Sequence, residues 1–305
     1  MLTFVLRRIL TTIPLLLAIL FFSFLFMRSA PGGPFDSERS LPPQIEANLR
    51  AKYHLDEPLF QQFTRYMGGL LQGDLGPSFK YQARSVNEII AQSLPVSLTL
   101  GSLALIFALV LGIPAGIMGA VYQNQARDYL LMSVSLLGIS IPNFVLGPVL
   151  IIIFSFGFGW LPAGGWGTLE QLILPAITWG AIRAAYVARL ARAGMLEIIR
   201  QDYIRTARAK GLKEHVVIGK HALRTGILPV VSYLGPATAG ILVGSVVVER
   251  IFSIPGLGSF FVNSALNRDY TMAMGTVLLY SALLITLNFV VDVMYAILDP
   301  RVELS

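Results

Sequence analysis

Residues 203–229 read YIRTARAKGLKEHVVIGKHALRTGILP and carry six lysines and arginines in a chain that is 55% hydrophobic and only 13% charged. The stretch is bounded by apolar runs, Leu172–Leu190 before it and Ile227–Val248 after it, each long enough at 1.5 Å per residue to be read as a helix crossing the roughly 30 Å hydrocarbon core. It is therefore a polar loop held at both ends by membrane spans. From Leu196 to Arg208 the spacing predicts a helix with Leu196, Ile199, Tyr203 and Ala207 on one face and Glu197, Gln201, Arg205 and Arg208 on the other. Gly211 follows at once, where a helix end calls for a left-handed residue, and a second helical stretch runs through His221.

Outward from this loop, four further runs complete a six-span chain: Ile9–Met27, Val96–Val121, Tyr129–Phe156 and Met272–Leu298. The mean hydropathy of +0.68 agrees with an integral membrane class. The first run is too long for the apolar region of a cleaved signal and is read as an uncleaved span. Of the 23 lysines and arginines, 14 fall on the side that holds the termini and the loop at about 191–226, and seven of the others lie between Arg28 and Arg84 around a long connection. The positive-inside rule then predicts both termini in the cytoplasm. Three regions result: 1–28, the N-terminus and first span; 29–95, an extracytoplasmic helical loop; and 96–305, a five-helix core carrying the cytoplasmic loop.

The chemistry of most enzyme classes is missing. There is no cysteine, and the three histidines lie outside the spans. The stretch GISIP (Gly138–Pro142) has neither the closing glycine nor the base of a serine elbow. No phosphate-binding loop occurs, since VVIGKH lacks the upstream glycine and the Ser/Thr. Energised work would require a nucleotide bound by another chain. Asp292 is the one carboxylate well inside a predicted span, with Asn288 one turn before it; it reads either as part of a transport path or as packing. Asn143, within the third apolar run, joins the path candidates.

Two uses of the charged loop remain open on physics alone: adsorption to anionic lipid, or docking of a protein. Nucleic acid is disfavoured, because a segment tethered at both ends to spans has poor access to a groove. The glycine break between two helical pieces is a shape that lipid attraction does not require.

YIRTARAKGL followed by HALRTGILPV resembles the cytoplasmic loop of permease subunits of binding-protein-dependent ABC importers of the dipeptide/oligopeptide family. The resemblance extends along the chain through RRIL, KYHLDEP, GDLGPSF, GGWG, ERIFSIPGLG, LNRDY and DVMYAILDPR. It implies an all-α permease fold of six transmembrane helices in the bacterial inner membrane, a non-catalytic subunit forming half of a translocation pathway. Implied partners are a second homologous permease, two cytoplasmic ATPases that bind ATP and Mg, an extracytoplasmic peptide-binding protein and the lipid bilayer; no cofactor or metal belongs to the chain itself. The family's loop pattern opens Glu-Ala-Ala, and counting back from Gly211 places Arg205, Thr206 and Ala207 in those slots; Leu228-Pro229 closes it further along than usual. The expected ATPase-docking residues are Tyr203, Arg205, Thr206, Ala207, Arg208, Lys210, Gly211 and Leu212. The outer connection Glu249–Tyr270 is expected to turn sharply at Pro255, Gly256 and Gly258, with Phe252, Leu257, Phe260 and Phe261 as apolar anchors, either as an outer gate or as a plain connector. A stand-alone secondary transporter or channel is the competing class; nickel, opine or glycosidic cargo is the competing substrate for the same architecture.

Overall fold

The computed structural model describes residues 2–29, 43–81, 83–242 and 244–298, with the side chains of 2–9, 43, 45, 46, 239, 242 and 291–298 outside the description. Among the described residues all regular structure is helical, and the one extended pairing is an isolated bridge between Pro77 and Ser85. The chain forms two compact units, Met1–Val96 with Gly256–Ile285, and Ser97–Pro255 with Thr286–Glu303.

The first unit contains α1 (Leu2–Ser29), α2 (Pro43–Lys52), α3 (Leu59–Leu71), the start of α4 (Val86–Val121), α13 (Leu257–Leu266) and the start of α14 (Tyr270–Leu298). Pro43 opens α2, where a missing N–H costs nothing. Gly73, at φ +77°, follows the end of α3. Leu20, Phe24 and Met274 form a buried core against Phe63, Tyr66 and Met67. Asp269, 1% exposed, stands just before α14 and accepts from the backbone N–H groups of Met272 (3.3 Å), Phe79 (3.1 Å) and Lys80 (3.3 Å) and from the Ser78 hydroxyl. It thus caps α14 and fixes the 78–80 segment to that cap.

The second unit is organised around α7 (Glu170–Ile199), against which pack α5 (Ala126–Ser140), α6 (Asn143–Leu150), α10 (Leu223–Gly226), α11 (Leu228–Leu242) and α12 (Val246–Ile251). Between α7 and α10 lie α8 (Asp202–Ala209) and α9 (Glu214–Val216), the latter continuing as a wide-turned π-helix over Val217–Ala222. Small residues let α4 and α7 touch backbone to backbone. A Cβ on Gly112 would stand 2.7 Å from the Ala184 carbonyl oxygen, and one on Gly180 would stand 2.6 Å from that of Ala104. This is close packing of the kind membrane helices use in place of a hydrophobic drive. At one end of the pair, Asp128 of α5 takes a two-pronged ion pair from Arg192 of α7, both N–O distances being 2.7 Å.

Among the described residues three helices are long and apolar enough to cross a membrane, at Leu10–Ser29, Val86–Val121 and Tyr270–Val290. The expected span Tyr129–Phe156 consists of two pieces, Ala126–Ser140 and Asn143–Gly157, bent by 109°. Proline explains the break: Ile141, before Pro142, is pushed to extended dihedrals of φ −93°, ψ 116°, and Pro142 can donate no hydrogen bond. The expected run Leu172–Leu190 lies in α7, which continues nine residues further to Ile199. The run Ile227–Val248 is also divided. Its helix α11 has 15 residues, and Gly244 at φ +88° separates it from α12, where a Cβ would stand 2.6 Å from the Glu249 carboxylate.

Candidate functional site

The charged loop folds as a short arm on the second unit. Gln201 is extended (φ −71°, ψ 152°), so α7 ends and α8 begins with a new phase rather than as one helix from Leu196 to Arg208. The faces shift accordingly. Ile204 and Ala207 point inward and join Ala120, Met195, Val217 and Ala222 in a buried cluster, with Leu196, Ile199 and Leu223 packed on it. Tyr203, expected on the apolar face, is 46% exposed instead. Ala207 is an anchor and not a contact surface.

Lys210 and Gly211 close α8, the Lys210 N–H donating to the Thr206 carbonyl at 3.0 Å and the Gly211 N–H to that of Arg208 at 2.9 Å. Gly211 has φ +74°, the left-handed conformation that a side chain resists. Beyond the turn, Arg208 reaches Glu214 through two hydrogen bonds, Nη2–Oε1 at 2.7 Å and Nε–Oε2 at 3.1 Å. These bonds hold the Glu214 carboxyl below its ordinary pKa and raise that of Arg208. Arg208 therefore braces the turn. Arg205 makes a 3.3 Å contact with Asp202 and leaves 73% of its side chain exposed. With Tyr203, Thr206, Lys210 and Leu212 it forms the outward surface of the arm.

The arm's root is rigid. Gly194 of α7 lies against the Gly226 carbonyl and the Pro229 ring, and Gly226 against the Met195 sulfur, contacts that admit no Cβ. Both glycines were passed over in the sequence, because only their pairing across the fold gives them meaning.

At the other expected site, Phe252 is fully buried and its carbonyl accepts from the Gly165 N–H of the GGWG turn at 2.7 Å. Ser253 has φ +54° and Pro255 is exposed. In the first unit, Gly256 precedes α13, Leu257 is fully buried, and Ser259 donates to the Gly256 carbonyl at 3.1 Å. Gly258, expected in the turn, sits instead in the first turn of α13, and Leu257 is a packing residue there. Asn143 opens α6 with its Oδ1 buried and without a hydrogen-bond partner among the described residues. Asn288 is half-buried in α14; Asp292 belongs to the same helix, but its side chain lies outside the described residues.

Comparison with known proteins places these features in a wider set. The family described as "Binding-protein-dependent transport system inner membrane component" matches residues 112–304, and its N-terminal counterpart matches 1–101. The chain is 50% identical over 305 residues to an oligopeptide transport system permease protein, OppB, of Haemophilus influenzae, covering 99% of this chain and 100% of that one. It is 47% identical to OppB of Escherichia coli K12 with the same coverage. A dipeptide transport system permease protein, DppB, of Bacillus subtilis is 43% identical over 289 residues, 95% of this chain and 94% of that one. Among solved structures, an inward-facing form of the MetNI methionine ABC transporter shares the fold with a TM-score of 0.59 at 18% identity, over 69% of this chain and 96% of that one.

Proposed function

The chain belongs to the binding-protein-dependent transport system inner membrane component family, and from that premise we infer that it is the membrane permease subunit of an ABC importer for di- and oligopeptides. The names of its relatives support the cargo. It pairs with a second, similar permease to enclose the pathway, receives peptide from an extracytoplasmic binding protein, and docks two cytoplasmic ATPases that hold the ATP and Mg. It sits in the inner membrane with six spans, both termini in the cytoplasm. ATP binding by the partners closes the ATPase pair, displaces the docked arm and switches the permeases between inward- and outward-facing states; hydrolysis resets them. Path residues are sought near Asn143, Asn288 and Asp292, and an outer gate near Pro255 to Gly258.

One observation carries the docking assignment. Tyr203, Arg205, Lys210 and Leu212 stand outward on an arm whose own core is filled by Ile204 and Ala207. A segment adapted only to lie on lipid would turn its apolar residues toward the bilayer, not into a buried cluster. The test reverses Arg205 and Lys210 to Glu, sparing Arg208, whose reversal would set two carboxylates against each other across the turn. The double variant should insert at normal amounts, retain less ATPase on co-purification and lose ATP-driven peptide uptake. Full ATPase recovery with normal uptake would refute docking through this face.

A further inference from the structure

The first unit encloses a cavity of about 400 Å³, within the range of small-molecule sites. Its floor comes from the two helix ends that the apolar runs define. Phe24 and Arg28 lie at the finish of Leu10–Ser29, and Tyr270 and Met274 at the start of Tyr270–Val290. A site built where two spans leave the hydrocarbon core lies at headgroup depth.

Three groups in its lining are buried without a hydrogen-bond partner among the described residues: Arg28 Nε, Gln62 Oε1 and the Tyr66 hydroxyl. Each is held in place by something else. Arg28 packs its guanidinium 4.5 Å from the centre of the Tyr270 ring and 5.6 Å from that of Phe24. Gln62, 8% exposed, gives both of its N–H groups to the carbonyls of Leu55 (3.0 Å) and Glu57 (2.7 Å), so its orientation is fixed with the oxygen left over. A half-buried cation and buried polar atoms without partners are costly, and each such group calls for a ligand or a structural reason. Lys52 adds a second cation to the lining. Arg65 is a third but is engaged by Glu57 at 2.7 Å, and Asp74, the opposing carboxylate, already accepts from the Gly76 N–H at 2.8 Å.

We propose that this cavity binds the headgroup of an anionic phospholipid of the surrounding bilayer, its phosphate at Arg28 and Lys52, its polar head at Gln62 and Tyr66, and its acyl stem along Phe24 and Met274. Guanidinium and ammonium groups at a span end recognise phosphate, and aromatic rings at that depth suit the headgroup boundary. Free inorganic phosphate offers the same anionic chemistry but has no use for the apolar floor. The position of the floor at two span ends favours the lipid.

Native mass spectrometry of the full-length chain with its partner subunits, in detergent supplemented with phosphatidylglycerol, phosphatidylcholine or millimolar inorganic phosphate, separates the sources. Phosphatidylglycerol should stay bound in preference to phosphatidylcholine and resist displacement by phosphate. Lys52→Gln should cut its retention about fivefold, and Arg28→Gln at least as far, while Arg84→Gln, outside the cavity, should leave it unchanged. Should Arg28→Gln fail to assemble, Lys52→Gln and a Tyr66→Phe variant carry the test. Equal retention of the two lipids, retention untouched by Lys52→Gln, or binding of phosphate with no lipid adduct would each overturn the proposal. The readout is lipid mass and not uptake, so it stands or falls apart from the peptide-import assignment.

Discussion

Gly211 offers the sharpest perturbation of the proposed docking arm. Its φ of +74° is unfavourable for any residue with a Cβ, yet a Cβ built there would meet nothing within 4 Å. Substitution at this position therefore tests backbone conformation with no steric clash to confuse it. Placing a non-glycine residue in the left-handed region costs about 1–2 kcal/mol, more for a β-branched residue and less for Asn, which tolerates that region. The turn's local brace, the exposed Arg208–Glu214 pair, contributes no more than about 1 kcal/mol. Valine strain therefore outweighs the brace, and about 1.4 kcal/mol is already tenfold in the population of the intact turn. Gly211→Val should leave the spans and expression unaffected but lower ATPase recovery and ATP-driven uptake in reconstituted vesicles loaded with ATP several-fold or more. Gly211→Ala should fall between, and Gly211→Asn close to the parent. Parental activity in Gly211→Val would refute the view that the turn's shape is what the partner reads. Equal loss in Asn and Val would show that something other than backbone conformation is at stake.

Acidification should loosen the same turn. Because the Arg208 hydrogen bonds hold Glu214 below its ordinary pKa, its contribution is complete above the unfolded-state pKa and is lost as pH falls through the lower folded value. The hydrogen-exchange protection factors of residues 202–216, corrected for the intrinsic pH dependence of amide exchange, should therefore be flat near neutrality and fall only on the acid side of the usual carboxylate range. Glu214→Gln should abolish that dependence at a neutral-pH cost below about 1 kcal/mol; an unchanged profile would disprove the brace. At the arm's root, Gly194→Val must displace the Gly226 carbonyl and Pro229, and overpacking of this kind costs about 1–3 kcal/mol. Its melting temperature in detergent should drop, whereas Gly240→Ala, with nothing within 4 Å of its Cβ, should be neutral; equal melting of the two would refute the tight contact.

Local signals in the sequence were legible where a residue type forces the backbone. Gly211 reads directly as a left-handed helix end, and Pro43 as a helix start. Other breaks were obscured by averaging: the apolar run from Tyr129 to Phe156 is continuous in hydropathy, although Ile141-Pro142 carries the steric reason for its 109° bend. The new phase of α8 was harder to see, since neither glycine nor proline marks Gln201, and the apolar pattern of Leu196, Ile199, Tyr203 and Ala207 runs across the break without interruption. Asp269 and the Gly194–Gly226 contact were out of reach for a different reason. The partners of Asp269 at Ser78 to Lys80 lie about 190 residues away, and their meaning comes from the fold and not from spacing.

How the arm bears load follows from which of its contacts are buried. Carrying a two-state permease from almost wholly one state to almost wholly the other takes about 5.5 kcal/mol of differential binding, and an arm that yields before that transmits nothing. The exposed Arg208–Glu214 and Arg205–Asp202 pairs are too weak for the task. Ile204 and Val217, both fully buried in one cluster with Met195 of α7 and Ala120 of α4, stand for about 1.5–3 kcal/mol each. Together they match the load. On the proposed docking role, transmission rests on the apolar cluster and recognition on the outward face, so the two are separable by mutation. Ile204→Ala should release the arm from α7 while keeping Tyr203, Arg205 and Lys210 available to the partner. ATPases should then still be recovered with the permease, but their hydrolysis should no longer respond to peptide-loaded binding protein. Retained response in Ile204→Ala would place the transmission elsewhere than in this cluster.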